Sequence, residues 1–157
     1  MFICVLYCPP NSDTSIYTSL SENMDQLLSS HPNSLFLICG DFNCHHASWR
    51  GVGTSLTCHG TSAKDFCDSL GLTQSVNFPN RISTNGTLSL LDLILTNFPE
   101  NICCSSSTPI GSSDHVLVKN RAAGLPAAIQ TSIYPCGRFT SRDTNLHIPE
   151  RPVHQPR

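Results

Sequence analysis

LFLICGDFN, residues 35–43, opens on five consecutive apolar residues and closes on a carboxylate, an aromatic ring and an amide. Leu35 to Cys39 is too short for a buried helix and too uniformly apolar for an amphipathic one, so it predicts a strand covered on both faces. Gly40 lets the backbone turn sharply where that strand ends, which delivers Asp41 and Asn43 to a strand end, a usual place for functional side chains. Upstream, Phe2 to Cys8 is a second apolar run, rich in β-formers and stopped by Pro9-Pro10, and predicts another buried strand. Between the two, Ile16, Leu20, Met24, Leu27 and Leu28 recur at helical spacing, with Asp13 as candidate cap and His31-Pro32-Asn33 as the stop. Strand, helix, strand predicts layered α/β packing.

Downstream, residues 43–60 are polar, with a lone Trp49 and several glycines, and predict an ordered loop. Ala63, Phe66, Cys67 and Leu70 then follow at i, i+3, i+4 and i+7, a second helix capped by Thr61 or Ser62 and ended by Gly71. Asn85-Gly86 is a turn dipeptide before the apolar run Leu88 to Leu95, and Ile102 to Cys104 and Val116 to Val118 are further candidate strands. Residues 1–120 are expected to form the domain. From Arg121 to Arg157 no period is sustained, and residues 121–157 are expected to be a linker or disordered tail.

A chain of 157 residues with 39% hydrophobic content suffices for one packed domain. Only 13% of residues are charged, and the net charge of -2 gives no basic footprint, so a nucleic-acid partner must be held by a local patch or by metal ions bridging to phosphate. No apolar run approaches the ~20 residues that span a bilayer, and no membrane partner is expected. MFICVLYC lacks the basic start of a signal peptide and meets two prolines too soon. The nine cysteines are odd in number and scattered, which argues against a disulfide framework and for a reducing, intracellular setting, nuclear or cytoplasmic.

Three polar clusters fall beside predicted strands: Gly40-Asp41-Phe42-Asn43, Leu91-Asp92-Leu93 and Ser113-Asp114-His115. An aspartate after a strand is ordinarily a turn or cap residue, and a lone histidine is ordinarily a satisfied core side chain. Three carboxylates beside Leu and Ile, however, require compensation by a metal, a histidine or hydrogen bonds, and together they suggest one shared polar centre. GDFNCHHASW, LLDLILTN and GSSDHVLV, in that order and spacing, resemble the three C-terminal motifs of the endonuclease/exonuclease/phosphatase family. YCPPN near the start resembles the family's Tyr-x-Pro-Pro segment, and the phrase around Trp49 is most similar to endonuclease domains of non-LTR retrotransposon polyproteins. The resemblance covers about Phe2 to Val118.

It implies an α/β fold, part of a four-layer α/β sandwich: half of a two-sheet DNase I-like domain with an irregular C-terminal tail. It also implies phosphodiester hydrolysis with Mg²⁺, or Mn²⁺ in its place, acting on DNA, with a reverse transcriptase domain elsewhere in the polyprotein. By the same resemblance, Asp41 orients or deprotonates the attacking water and contributes to the metal, while Asn43, two residues along an extended segment, donates to a phosphate oxygen. His115 contacts the scissile phosphate, Asp92 orients that imidazole, and Asp114 lies near the metal. Tyr7 matches a tyrosine that donates to the phosphate, although YCPP departs from the commoner pattern with Arg after Tyr.

The family's principal metal-ligand Glu, and an Asn before it, come from strands preceding the Tyr segment. Only six residues precede Tyr7, and Glu22 lies on the predicted helix. Weak or no activity is therefore expected of this chain alone, with one sheet's inner face left uncovered. Three alternatives stand beside this reading. Cys44-His45-His46, Cys58-His59 and Cys67 could form a zinc module, although the spacing matches no standard finger. The same fold could act on lipid or nucleotide phosphates. The chain could also be a non-catalytic remnant of such a domain.

Overall fold

The computed structural model describes residues 1–49, 56–109 and 111–123. The first strand, β1 (Phe2–Tyr7), runs into helix α1 (Ser15–Ser30) and returns as β2 (Phe36–Asp41), parallel to β1 in the register Phe2 to Phe36 and Tyr7 to Asp41. This is the expected strand-helix-strand unit, in which a crossover helix is what allows two strands to lie parallel. Asp13 stands just outside the helix and accepts the Ser15 amide at 3.1 Å, while Thr14 holds the cap position itself.

Helix α2 spans Cys58–Ser69, and its cap is Thr57, whose hydroxyl accepts the Gly60 amide at 3.0 Å. It therefore starts earlier than the Thr61 or Ser62 expected from sequence, taking three residues from the predicted loop. Its end matches the expectation: Gly71 adopts φ +61, and the Leu72 and Gly71 amides bond back to the carbonyls of Cys67 and Asp68.

The apolar run Leu88 to Leu95 is two strands, β5 (Leu88–Ser89) and β6 (Asp92–Thr96), with β3 (Thr73–Gln74) and β4 (Arg81–Ile82) before them. A corner at Leu90-Leu91 separates them, and both leucines are buried, so the continuous hydropathy conceals a change of direction. The hairpin β7 (Ile102–Pro109) and β8 (Val116–Ala122) completes the fold, carrying β8 two residues beyond the boundary placed at 120. Beyond Ala123 the expected tail lies outside the described residues.

The main sheet has the order β1-β2-β6-β3, β4-β5 form a second ladder and β7-β8 a third. Phe36, Ile38, Leu93 and Leu95 pack with Tyr17 and Met24 of α1 and Ala63 and Phe66 of α2 in one core. Each such fully buried large side chain contributes about 1.5–3 kcal/mol. The opposite face meets the β7-β8 hairpin across a cleft of about 340 Å³, lined among others by Leu37, Cys39, Ile94, Val116 and Val118. The hairpin does not shield β1, whose Ile3, Val5 and Tyr7 are exposed.

Cys8, Cys44 and Cys67 are free thiols in the core. Burial pushes Cys44 and Cys67 up to about 12, so both remain protonated apolar side chains at neutral pH. Among the described residues, no group of three or more His, Cys, Asp or Glu side chains is placed to hold a metal ion. The zinc-module alternative, which needs soft ligands converging as thiolates, has no such cluster to rest on.

Candidate active site

Register brings the first three site residues into one row. Tyr7 lies across from Asp41 on β1 and β2, and Asp41 lies across from Asp92 on β2 and β6. Paired residues share a face and neighbours along a strand alternate, so Leu6, Gly40 and Leu93 face the helices while Tyr7, Asp41 and Asp92 face away from them. His115 reaches the row from the turn before β8, its Nδ1 2.7 Å from Asp92 Oδ2. Both side chains are only about a quarter exposed, at 29% and 25%, so solvent competes weakly for the bond. A carboxylate accepting from Nδ1 favours the proton there and leaves Nε2, 4.0 Å from Asp114 Oδ1, as the nitrogen not engaged by Asp92.

Asp41 sits half-buried next to a second carboxylate. Desolvation raises its carboxyl above the ordinary range, and Asp92 adds to this, while the Asn43 amides and the His115 ring pull it back down. A carboxyl so placed is a weakly solvated base whose ionised form is favoured by any added cation.

Asn43 does not continue the strand. Its φ of +45 places it in the left-handed region, where its backbone N–H donates to Asp41 Oδ1 at 3.1 Å. Its side-chain amide donates to Asp41 Oδ2 at 2.8 Å and to the Cys8 carbonyl at 2.9 Å. The expected extended segment is thus a tight turn, because asparagine tolerates positive φ and closes bonds onto its own neighbourhood. Asn43 orients Asp41, and in this arrangement both side-chain N–H groups already have protein acceptors.

Asp114 lies outside the row. Its Oδ2 accepts from Arg81 Nε at 2.7 Å, and its Oδ1 is 4.0 Å from His115 Nε2. The guanidinium, foremost through that hydrogen bond, holds the Asp114 carboxyl below its ordinary value. Tyr7 is 61% exposed at the open end of the row. The structure therefore brings Tyr7, Asp41, Asp92 and His115 together, with Asn43 beneath Asp41 and Asp114 at the margin, tied to Arg81.

Arg81 and Asn80 were missed by sequence reasoning. Asn80 is fully buried, and its side chain bonds to the backbone of Leu91 and Asp92. Phe78-Pro79-Asn80-Arg81 has no apolar period, and contacts 11 and 33 residues away leave no local signature; a polar pair following proline, just before a turn, was the only cue.

Magnesium binds through one or two carboxylates and completes its shell with water and substrate phosphate, so it does not need the closed cage that is absent among the described residues. Asp41, a hard oxygen donor facing Asp92 and with a carboxyl raised by burial, fits such a partial site. Asp114 fits it only by exchanging its bond to Arg81.

A sequence model of the endonuclease-reverse transcriptase family matches residues 1–119. No curated protein matches. Among solved structures, the endonuclease domain of TRAS1, a telomere-specific non-LTR retrotransposon, is similar, with a TM-score of 0.55 at 16% identity, over 76% of this chain and 55% of that one. The chain thus spans about half the length of that structure, and at this identity the likeness establishes the fold, an α/β arrangement of the DNase I-like kind. With three-quarters of its residues matched by the family's sequence model, the chain belongs to the endonuclease-reverse transcriptase family.

Proposed function

We propose that this chain carries part of the active site of a DNA endonuclease that hydrolyses phosphodiester bonds with Mg²⁺, or Mn²⁺ in its place. The observation that carries this is the 2.7 Å His115–Asp92 bond on the same sheet face as Asp41. Phosphodiester cleavage needs a water held and deprotonated for in-line attack, a donor for charge developing on the phosphate oxygens, and help for the leaving oxygen. Asp41, kept in place by Asn43, is the base that takes the water's proton. His115 Nε2, with Nδ1 tied to Asp92, presents the ring to the phosphate, and Tyr7 adds a hydroxyl at the rim. Asp41, with Asp114 as a candidate second ligand, would hold the magnesium ion, which when bound would neutralise charge on the phosphate.

The similar TRAS1 structure is that of a retrotransposon endonuclease domain, which supports DNA as substrate and a polyprotein context with reverse transcriptase as the neighbouring activity. Among the described residues no glutamate stands on the row beside Tyr7, Asp41 and Asp92, so we infer that these residues by themselves form only part of the catalytic set. Supercoiled plasmid with Mg²⁺ tests the proposal. Weak nicking is expected, lost to background on chelation and in Asp41→Ala and His115→Ala. Robust turnover indifferent to both substitutions would refute it.

A further inference from the structure

We propose that Asn80 is the positioning residue of the His115–Asp92 pair, an inference that rests on the reading of that pair as catalytic. The corner between β5 and β6 removes Leu91 and Asp92 from ladder pairing on one side at a place where Leu90 and Leu91 are buried, so their amides need partners from elsewhere. A single side chain provides them. Asn80 Oδ1 accepts the Leu91 amide at 2.9 Å and the Asp92 amide at 3.1 Å, and Nδ2 donates to the Asp92 carbonyl.

The backbone of Asn80 binds the other half of the pair. Its carbonyl accepts the Val116 amide at 2.8 Å, one residue after the imidazole, and its own N–H donates to the Ser89 carbonyl at 2.9 Å. The next two residues continue the seam: Arg81 bridges to His115, and the Ile82 amide donates to the Asp114 carbonyl at 2.9 Å. One buried residue thus grips the backbone of the carboxylate by its side chain and the backbone beside the imidazole by its main chain. The two catalytic partners are 23 residues apart in sequence, and a relative displacement of about 1 Å breaks a 2.7 Å hydrogen bond.

A merely structural asparagine would stabilise the corner without setting the Asp92–His115 distance. The experiment that separates these uses the intact chain with ¹⁵N-labelled histidine, and reads the downfield Nδ1–H resonance of His115 at one fixed pH, assigned by its absence in His115→Gln. In Asn80→Ser, whose hydroxyl reaches at most one of the three groups, the resonance is expected to be lost, while circular dichroism and the His59 ring signals stay as in the wild type. Where the wild type nicks plasmid, kcat is expected to fall about 10- to 100-fold with KM unchanged.

Should Asn80→Ser fail to fold, Asn80→Asp, which keeps the size and both acceptor bonds but sets an oxygen against the Asp92 carbonyl, is read instead, with the same loss expected. A folded variant that retains the wild-type Nδ1–H resonance overturns the proposal. If wild-type nicking is unchanged in Asp41→Ala and His115→Ala while the resonance is lost in Asn80→Ser, the endonuclease reading fails and the positioning role stands. If the wild type nicks and the variant retains the resonance, the positioning role fails and the endonuclease reading stands.

Discussion

Asp41 is aimed by the residues on either side of it. Gly40 takes φ +146 inside β2, and a Cβ there would lie 1.8 Å from the Leu6 carbonyl oxygen of β1. Glycine is needed because β1 and β2 approach too closely for any side chain; it does not end the strand, as its place in the sequence suggested. The residue after Phe42, Asn43, then turns back at positive φ to bond both carboxylate oxygens. Gly40→Ala is therefore expected to lower stability by more than about 3 kcal/mol, from a strained dihedral combined with a backbone clash, read as the midpoint of urea unfolding. A midpoint within experimental error of the wild type would show that the strands separate freely, and that the aim of Asp41 does not depend on their contact. That Asp41 and Asn43 act together was legible in GDFN. That Asn43 serves the carboxylate was not, because its side-chain amide is also held by the Cys8 carbonyl, 35 residues away in sequence.

At the scale of elements, β1 and β2 were legible as short unbroken apolar runs and α1 by its helical period, each with a proline or glycine at its boundary. Helix α2 was legible in its apolar face and its stop, but its first turn was hidden. Gly60 at its third position is a poor helix former, tolerated because the His45 carbonyl leaves no room for a side chain: a Cβ there would lie 1.9 Å from that oxygen. The cap itself belongs to a tertiary stitch. Thr57 Oγ1 accepts from the amides of both Gly60, at 3.0 Å, and His45, at 3.2 Å, tying the start of α2 to the segment that follows Asn43. Thr57→Ala is expected to lose about 1 kcal/mol, and Thr57→Ser, which keeps the acceptor, to recover most of it in thermal unfolding. Equal stability of the two variants would mean the hydroxyl bonds count for nothing. The β5-β6 corner was illegible for a related reason: LSLLDLIL has one continuous hydropathy, and what bends it is Asn80, supplied by a segment with no pattern of its own.

Across the whole molecule, the layering was legible from hydropathy alone, and the covered and uncovered parts of the sheet follow from topology. The β7-β8 hairpin faces Leu37, Cys39 and Ile94 of the central strands across the cleft. β1 is the outer strand in the order β1-β2-β6-β3, and on the same face it presents Ile3, Val5 and Tyr7 with 38%, 46% and 61% exposure. Tyr7 has a place in the row of site residues, whereas Ile3 and Val5 have no polar work to do. An apolar stripe on an edge strand recruits other strands, and charge is the usual remedy. Val5→Lys is thus expected to leave the unfolding free energy within about 0.5 kcal/mol of the wild type, since the side chain already lies largely in water. It should also reduce concentration-dependent light scattering of the chain. Loss of stability by several kcal/mol would show instead that Val5 is packed in solution. Unchanged scattering would move the source of association away from β1. The outcome separates two demands on one strand: Leu6 and Phe2 must be apolar to build the core, and the alternate positions carry hydrophobicity that the described residues leave in solvent.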